Sequence, residues 1–234
     1  MLDSRHVPPA QIRSFKVFEG LTDRQARQLA RRARTECVDA GDLLYRQRDV
    51  AHHAYFCISG QFRLFRENSA GCEKIFRIVD AGNCISDPVS LSDDRRFSLN
   101  CAALRASEVL LIDAAELARV FHQNEAVRTG MLNELSRRVD HLIDHIEMLS
   151  MDKAKYRVAA FIFSEYLRNE RRIKFRLSLN KKHIASYLSL QPETLSRCIR
   201  WFGEQGVTDS TAHEVHVLDV ERLETLALNA QALP

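Results

Sequence analysis

The stretch SLQPETLSRCIRWF, residues 189–202, decides how the C-terminal part of this sequence folds. Apolar residues recur at helical spacing on both sides of a predicted turn within this region. The turn is preceded by Ile184, Ala185 and Leu188 and followed by Leu195, Ile199 and Phe202. Ser189–Gln191 forms that turn. Pro192 suits the first turn of a helix, and Gly206 is placed to end the same helix. The pattern predicts two short helices joined by a tight turn.

The polar residues of the second helix indicate what such a helix-turn-helix binds. Its second helix enters the major groove of DNA. Arginine can donate two hydrogen bonds to guanine, glutamate can accept one from cytosine, and serine can contact base or phosphate. The alternative is an ordinary surface helix with mixed charges. The predicted DNA-contacting set is Gln191, Glu193, Thr194, Ser196, Arg197 and Arg200, with Lys181, Lys182 and Arg200 suited to phosphates.

Basic charge is concentrated in the same part of the chain. The 234 residues carry a net charge of only +3. Residues 153–206 contain 12 Lys and Arg against 4 Asp and Glu, residues 1–152 contain 21 against 22, and residues 207–234 contain 1 against 5. This distribution is typical of a nucleic-acid-binding surface within a larger chain.

The first half of the chain predicts a domain of short antiparallel strands. Residues 9–33 have a helical pattern with a cap at Leu21–Asp23. From residue 35 to 113, apolar runs such as 75–79 and 109–112 are separated by turn residues. The glycines at these turns are Gly41, Gly60, Gly71 and Gly82. Such spacing favours a β-roll or sandwich.

A long amphipathic helix is predicted after residue 113. Its apolar residues step by three and four, as in the seam of a coiled coil. They are Leu132, Leu135, Val139, Leu142, Ile146 and Leu149. Because Ile143 widens this seam, we expect one side to face the chain's own roll and the other to face an identical helix in a homodimer. With fewer than three or four heptads, packing on the roll alone is the alternative.

The remaining C-terminal residues predict further elements around the helix-turn-helix. Residues 156–167 have the pattern of an amphipathic helix, 169–172 that of a polar turn, and 174–179 that of a strand. Residues 206–207 and 215–218 could pair as the two strands of a wing. The predicted fold class is therefore α+β, with domains at 1–118 (β-roll sensor), 119–152 (dimerisation helix) and 153–234 (winged helix-turn-helix).

The motif LSLQPETLSR, residues 188–197, resembles the recognition motif of the CRP/FNR superfamily of bacterial transcription regulators. ISGQFRLFR, AGNCI and the long helix follow that family's order, and the similarity extends from about residue 12 to 225. It implies a cyclic-nucleotide-binding-like β-roll, a dimerising helix, RNA polymerase as a partner, and double-stranded DNA with an inverted repeat. Glu193, Ser196 and Arg197 match the E-x-x-S-R form of the FNR-type branch, which implies half-sites resembling TTGAT.

Two further stretches are similar to one subgroup of this family. GCEKIFRIV and HIEMLSMDKAKYRVAAFI resemble the dissimilative nitrate respiration regulators, which implies haem and nitric oxide sensing. The chain departs from that subgroup at a motif histidine, which is Tyr187 here, and at a histidine pair, which is Ser14 and Phe15 here.

The sequence argues against cyclic AMP as the signal. The family's phosphate cradle has a Gly-Glu pair where this chain has Ser86-Asp87-Pro88, and an Arg-Ser/Thr pair where it has Phe97-Ser98. Pro88 removes a backbone donor, and a serine replaces the glycine that lets the backbone approach an anion. Ser86, Asp87, Arg95 and Arg96 remain the candidate lining of an effector pocket.

The sequence contains weaker evidence about metal and redox cofactors. The cysteines are Cys37, Cys57, Cys72, Cys84, Cys101 and Cys198. Their wide spacing, with none before residue 37, argues against an iron–sulfur cluster and favours buried thiols. Candidate haem or metal ligands are His6, His52, His53, His141 and His145, and nothing in the sequence chooses among them.

Other functional classes fit less well. A cupin-like metal enzyme needs strand histidines one residue apart, whereas His52 and His53 are adjacent. A scaffold without DNA contact would leave the basic segment unexplained. No membrane-spanning run or signal peptide is evident, so we expect a cytoplasmic protein. The leading interpretation is a DNA-binding regulator controlled by a small molecule or by redox state, with haem as one possible sensor.

Overall fold

The structure, a computed structural model, describes residues 7–69, 71–86, 95–211 and 214–228. The chain divides into an N-terminal unit, Met1–Val139, and a C-terminal unit, Asp140–Pro234. Asp87 and His6, two of the candidate site residues, lie outside the described residues, as does Pro88.

The N-terminal segment forms two helices and a 3-10 turn in place of the single helix predicted for residues 9–33. Helix α1 spans Pro9–Arg13, the 3-10 turn Lys16–Phe18, and α2 Asp23–Ala30. Phe15 has an extended backbone that interrupts the helix. Thr22 then starts a new one as predicted, through a capping box with Gln25 that satisfies backbone donors at the helix start.

In the part of the chain that the structure describes, seven strands form the predicted β-roll. They are β1 Ala33–Val38, β2 Leu43–Tyr45, β3 His53–Ser59, β4 Gln61–Glu67, β5 Glu73–Asp80, β6 Asn100–Ala103 and β7 Ser107–Asp113. One antiparallel sheet has the order β1-β7-β3, and the other has the order β2-β6-β4-β5. The strands predicted at residues 75–79 and 109–112 are confirmed as β5 and β7. Alternating side chains of both sheets can therefore meet in a shared interior.

The N-terminal unit contains two apolar clusters. The cluster inside the roll includes Phe62, Leu64, Phe97, Cys101 and Leu111, all at most 4% exposed. The cluster beneath the N-terminal helices includes Ile12, Phe18, Leu29, Phe56 and Leu110. Burial of these side chains is the main stabilising contribution that the sequence supplies to this unit.

Two further helices follow the roll: α3 spans Ala114–Gln123 and α4 spans Glu125–Ser150. They are separated at Asn124, whose side-chain carbonyl accepts a hydrogen bond from the Val127 amide and so caps the start of α4. Gly130 of α4 lies against the backbone of Val17, and a Cβ atom at this position would be 3.0 Å from the Val17 carbonyl oxygen. The missing side chain thus permits close packing of α4 on the N-terminal segment.

The C-terminal unit is a helix-turn-helix with a small sheet. Its elements are α5 Ala154–Arg168, β8 Lys174–Arg176, α6 Lys181–Tyr187, α7 Pro192–Glu204, β9 Thr208–Ser210, β10 Glu214–Val217 and α8 Val220–Leu228. The three strands are antiparallel in the order β8-β10-β9. The helix predicted at residues 156–167 and the two helices of the helix-turn-helix are confirmed.

Two strand predictions in this unit need correction. The strand predicted at 174–179 ends at Arg176, because the amide and hydroxyl of Ser178 donate to the Glu165 carboxylate and direct the chain towards α6. The wing strand predicted at 206–207 begins at Thr208, because Gly206 has φ +66° and belongs to the turn that ends α7.

Candidate DNA-binding surface and sensor site

The turn between α6 and α7 is held by backbone and apolar contacts. Ser189 has a left-handed backbone, φ +53°, and the Leu190 amide donates to the Ala185 carbonyl at 2.9 Å. Pro192 occupies the first turn of α7, where its missing amide hydrogen costs nothing. The buried residues that pack the two helices together are Ile184, Ala185, Leu188, Leu195, Cys198 and Phe202. The turn is the one the sequence predicted.

The outer face of α7 carries the predicted base-contacting residues. Glu193, Ser196, Arg197 and Arg200 are all exposed, while the opposite face is buried. Thr194 is half-buried, and its hydroxyl accepts a hydrogen bond from Arg197 Nη2 at 3.3 Å. This bond orients the guanidinium while leaving most of its five donors for a ligand. The helix therefore presents donors, an acceptor and a hydroxyl on one polar surface.

Three further predicted DNA contacts lie at the starts of the two helices, and two of them, Lys181 and Lys182, are predicted phosphate contacts. Gln191 is exposed at the residue that precedes α7, and Lys181 and Lys182 occupy the first turn of α6. Asn180 caps α6 by accepting from the His183 amide at 2.9 Å. Lys182 is exposed and Lys181 is half-buried.

Several positions that support this surface were missed by sequence reasoning. Glu165 is only 3% exposed, and its carboxylate accepts hydrogen bonds from Ser178 Oγ and Arg168, each at 3.0 Å. An acid within the apolar stripe of α5 is a signal that could have revealed it. Lys155 Nζ lies 4.8 Å from the ring centroid of Trp201 on α7, a cation–π contact that spacing alone does not show.

The apolar seam of α4 is largely exposed in the single chain. Its residues from Leu132 to Ile146 are between 37% and 63% exposed, and Leu149 is half-buried. By contrast, Val127 and Met131 of the same helix are buried against the N-terminal unit. The roll thus covers one stripe at the start of α4, and the seam is a separate stripe.

The described residues that flank the expected nucleotide cradle contact other parts of the roll. Ser86 is buried, and its hydroxyl accepts a hydrogen bond from the Tyr55 amide at 3.1 Å. Arg95 and Arg96 are exposed, and Arg96 Nη1 donates to the Arg48 carbonyl at 2.9 Å. Phe97 is buried and stacks on Tyr45 with ring centroids 3.8 Å apart. Of the predicted lining residues, Ser86 is thus buried and Arg95 and Arg96 are exposed, while Asp87 lies outside the described residues.

A small cleft, with a volume of about 20 Å³, lies on the N-terminal unit beside α4. Most of its lining is apolar: Val17, Ala54, Phe56, Leu117, Met131 and Leu135. The polar part consists of Cys84, Ser86, Glu134 and Arg138. Ser86 is thus the one predicted effector residue that lines it.

A charged network joins α4 to the roll at one edge of the cleft. The backbone carbonyl of Cys84 accepts hydrogen bonds from Arg77 Nη2 at 2.9 Å and Arg138 Nη2 at 3.2 Å. Arg138 Nε also donates to the Glu134 carboxylate at 3.0 Å. Since each of these side chains is at most about a quarter exposed, the network is a specific connection between strand β5, the following loop and α4.

The described candidate histidines differ in their surroundings. His52 and His141 are exposed. His53 is half-buried, and burial together with the neighbouring Arg34 lowers its pKa. His145 is buried, unlike His141, and its Nε2 atom donates to the Tyr187 carbonyl. Among the described residues, no three His, Cys, Asp or Glu side chains cluster so as to hold a metal ion.

The six thiols are free, and most are shielded from solvent. Cys57, Cys101 and Cys198 are buried, Cys84 is half-buried, and only Cys37 and Cys72 are exposed. Burial raises the pKa of Cys57 to about 11 and raises the pKa values of Cys84, Cys101 and Cys198. Such thiols hold their protons near neutral pH and are poor nucleophiles.

Two family comparisons match the two units. Residues 35–124 match the cyclic nucleotide-binding domain, and residues 156–226 match the Crp-like helix-turn-helix domain. The chain is a DNA-binding transcription regulator of the CRP/FNR family. The cupin-like enzyme considered above is therefore set aside. No helix among the described residues is long and apolar enough to cross a membrane.

Individual CRP/FNR proteins resemble the chain over most of its length. It is 28% identical over 193 residues to the transcriptional activator protein Anr of Pseudomonas aeruginosa, covering 80% of this chain and 78% of Anr. The structure of FixK2 from Bradyrhizobium japonicum aligns with a TM-score of 0.74 at 22% identity, over 83% of this chain and 96% of that one. DNR from Pseudomonas aeruginosa aligns with a TM-score of 0.50 at 26% identity, over 96% and 100%.

Proposed function

We propose that this CRP/FNR regulator is a homodimer that binds an inverted repeat of TTGAT-like half-sites. The observation that carries the proposal is the exposed face of α7, where Glu193, Ser196 and Arg197 lie together on the second helix of the helix-turn-helix. These residues match the FNR-type recognition motif, and Arg197 can read guanine while Glu193 accepts from cytosine. Gln191, Thr194, Arg200, Lys181 and Lys182 complete the proposed contact set.

The exposed seam of α4 supports the dimer. Apolar residues such as Leu142 and Ile146 are 50% and 63% exposed and recur at heptad spacing along the helix. Such a stripe is stabilised when a second copy of the helix covers it. The same symmetry suits an inverted repeat, in which the two half-sites lie about one helical turn, roughly 34 Å, apart. We also propose that the dimer contacts RNA polymerase in the cytoplasm, and that the domain division is 1–118, 119–152 and 153–234.

The DNA and the dimer are tested in one experiment. Fluorescence anisotropy with TTGAT-N4-ATCAA is compared with DNA in which one half-site is scrambled, while sedimentation measures the oligomeric state. Leu142→Glu should dissociate the dimer and weaken binding to the inverted repeat by at least about 100-fold, since the two half-sites are then bound independently. His141→Glu introduces the same charge at an exposed neighbouring position and should do neither. A wild-type monomer, or equal affinity for the two DNAs, would contradict the proposal.

We propose that a small molecule or a redox change is the signal, with haem and nitric oxide as the form that the subgroup resemblance suggests. Haem iron needs an axial ligand such as His, Cys or Met. Among the described residues none of the candidate histidines lines the cleft, and the Cys84 thiol there donates to the Ser86 carbonyl at 3.0 Å. The described histidines therefore do not fit a haem at this cleft.

An anaerobic haem titration followed by absorption tests the form of the signal. No stoichiometric Soret band, with binding to the inverted repeat retained, would leave a small molecule other than haem or a thiol change as the signal. A stoichiometric band that shifts with nitric oxide would instead establish a haem sensor. A thiol sensor is favoured only at Cys37 and Cys72, because the other thiols are shielded.

A further inference from the structure

His145 is a buried polar residue at the end of the long helix, where its neighbours are exposed. It is 7% exposed, whereas Leu142 and Ile146, three residues before it and one after it, are 50% and 63% exposed. A buried imidazole requires a hydrogen-bond partner to offset the loss of water. The side chain therefore points into the C-terminal unit, while the adjacent seam residues remain accessible.

The partner of His145 is Tyr187, through both its backbone and its ring. His145 Nε2 lies 3.1 Å from the Tyr187 carbonyl oxygen, and because a carbonyl only accepts, Nε2 carries the hydrogen and donates it. The two rings stack with centroids 4.2 Å apart and an interplanar angle of 11°. Tyr187 also contacts Phe161 of α5 at 6.2 Å between ring centroids. His145 is thus held in both position and orientation.

Tyr187 is the last residue of α6, the first helix of the helix-turn-helix. The final carbonyls of a helix have no partner within it, so the His145 donor satisfies a group that α6 leaves open. The next carbonyl, that of Leu188, accepts from Arg157 Nη1 at 3.3 Å. These two bonds fix the end of α6 where the chain turns into α7.

We propose that His145 is a positioning residue for DNA binding, which ties the end of α4 beside the dimer seam to the helix that precedes the recognition helix. The inference rests on the proposed dimer and its inverted repeat. A change in how the two α4 helices pair then changes the separation of the two recognition helices, because the end of each α4 is bonded to α6. His145 itself does not contact DNA.

The dependence of DNA affinity on the length of the spacer between the half-sites distinguishes a positioning role of His145 from a purely stabilising one. The full-length protein is measured by anisotropy on inverted repeats with spacers of three, four and five base pairs, and on DNA with a single half-site. His145→Phe keeps a ring for stacking but removes the donor, and His145→Gln keeps a donor but removes the stack. Tyr187→Phe retains the ring and the backbone carbonyl and is the matched control.

The two His145 variants should lose affinity for the preferred spacer by about tenfold, which corresponds to about 1.4 kcal/mol. Their affinities for the three spacers should become similar, and their affinity for the single half-site should stay within about twofold of wild type. Tyr187→Phe should keep the wild-type preference. Circular dichroism establishes that each variant is folded, and if one of the two His145 variants is unfolded the other carries the test.

Two results would overturn the inference. The first is an unchanged spacer preference in the folded His145 variants. The second is an equal loss on the single half-site and the repeat, which would make His145 only a stabilising residue of the C-terminal unit. A wild-type protein that does not distinguish the repeat from scrambled DNA would instead contradict the proposed function, a separate outcome.

Discussion

The outer face of α7 consists of residues that do not pack within the chain, whereas the interior of the β-roll consists of residues that form its core. On α7, Glu193, Ser196 and Arg200 are exposed, and packing does not explain their identities. In the roll, Tyr45 and Phe97 occupy the region of the expected ligand cradle, and they belong to the buried core.

The contrast explains why one activity of a CRP/FNR regulator is easier to infer than the other. An exposed polar face carries little information about folding, so its chemistry reports on the partner. A sensor interior must both stabilise the domain and bind the signal, so apolar residues there are equally consistent with a core. The DNA-binding function follows from the surface, whereas the effector does not follow from the roll.

The largest expected effect tests whether the interior of the roll is a core. Phe97→Ala removes a buried ring that stacks on Tyr45, and it should lower the free energy of unfolding by about 3–5 kcal/mol. The measurement is urea unfolding followed by circular dichroism. Binding to the inverted repeat should persist under conditions in which the variant is folded, because the α7 surface is unchanged.

The control for this prediction is Phe76→Ala on strand β5. Phe76 is half-buried, and the Arg66 guanidinium carbon lies 5.9 Å from the centroid of the Phe76 ring. Removing this ring should therefore lower the free energy of unfolding by less than removing the Phe97 ring. Equal stability losses for Phe76→Ala and Phe97→Ala would weaken the contrast between core and surface. If Phe97→Ala had wild-type stability and responded to a small molecule that does not affect the wild type, Phe97 would belong to a ligand site and not to the core.

A smaller effect, on DNA affinity, is expected for a change on the outer face of α7. Arg197→Ala removes a proposed bidentate contact to guanine and should weaken binding to the inverted repeat by about 1–3 kcal/mol, with relaxed discrimination at one base position. The folding stability should change little, since Arg197 is exposed and hydrogen-bonds to the neighbouring Thr194 hydroxyl. Anisotropy with every base substituted at that position measures the effect.

Lys182→Ala is the matched control, because it also removes one positive charge from the helix-turn-helix. It should weaken binding to all sequences alike. It should also reduce the slope of log affinity against log salt concentration by about one, as expected of a phosphate contact. If Arg197→Ala also lost affinity uniformly across sequences, Arg197 would be a phosphate contact and the proposed base readout would be wrong.

Much of the fold could be predicted from local pattern. The helix-turn-helix, the roll and the long helix follow from periodicity, from turn residues and from Pro192, all of which act over a few residues. The single helix expected at residues 9–33 was wrong because two local features compete with its periodicity. Phe15 is extended, and the capping box of Thr22 starts a separate helix.

The contacts that connect distant segments could not be predicted in this way. His145 meets Tyr187 across 42 positions, and Glu165 meets Ser178 across 13. Neither spacing has a periodic signature, since each contact depends on how whole elements pack. The effector pocket proposed from Ser86 and Arg96 depends on such long-range packing as well, and it stays a prediction.

The glycine at position 130 has a mechanical consequence for the long helix. Its close approach to the Val17 backbone leaves little space for a side chain, since a Cβ atom there would be 3.0 Å from the Val17 carbonyl oxygen. A larger residue would move the start of α4 away from the N-terminal segment. Gly130 therefore sets the distance between these two backbones.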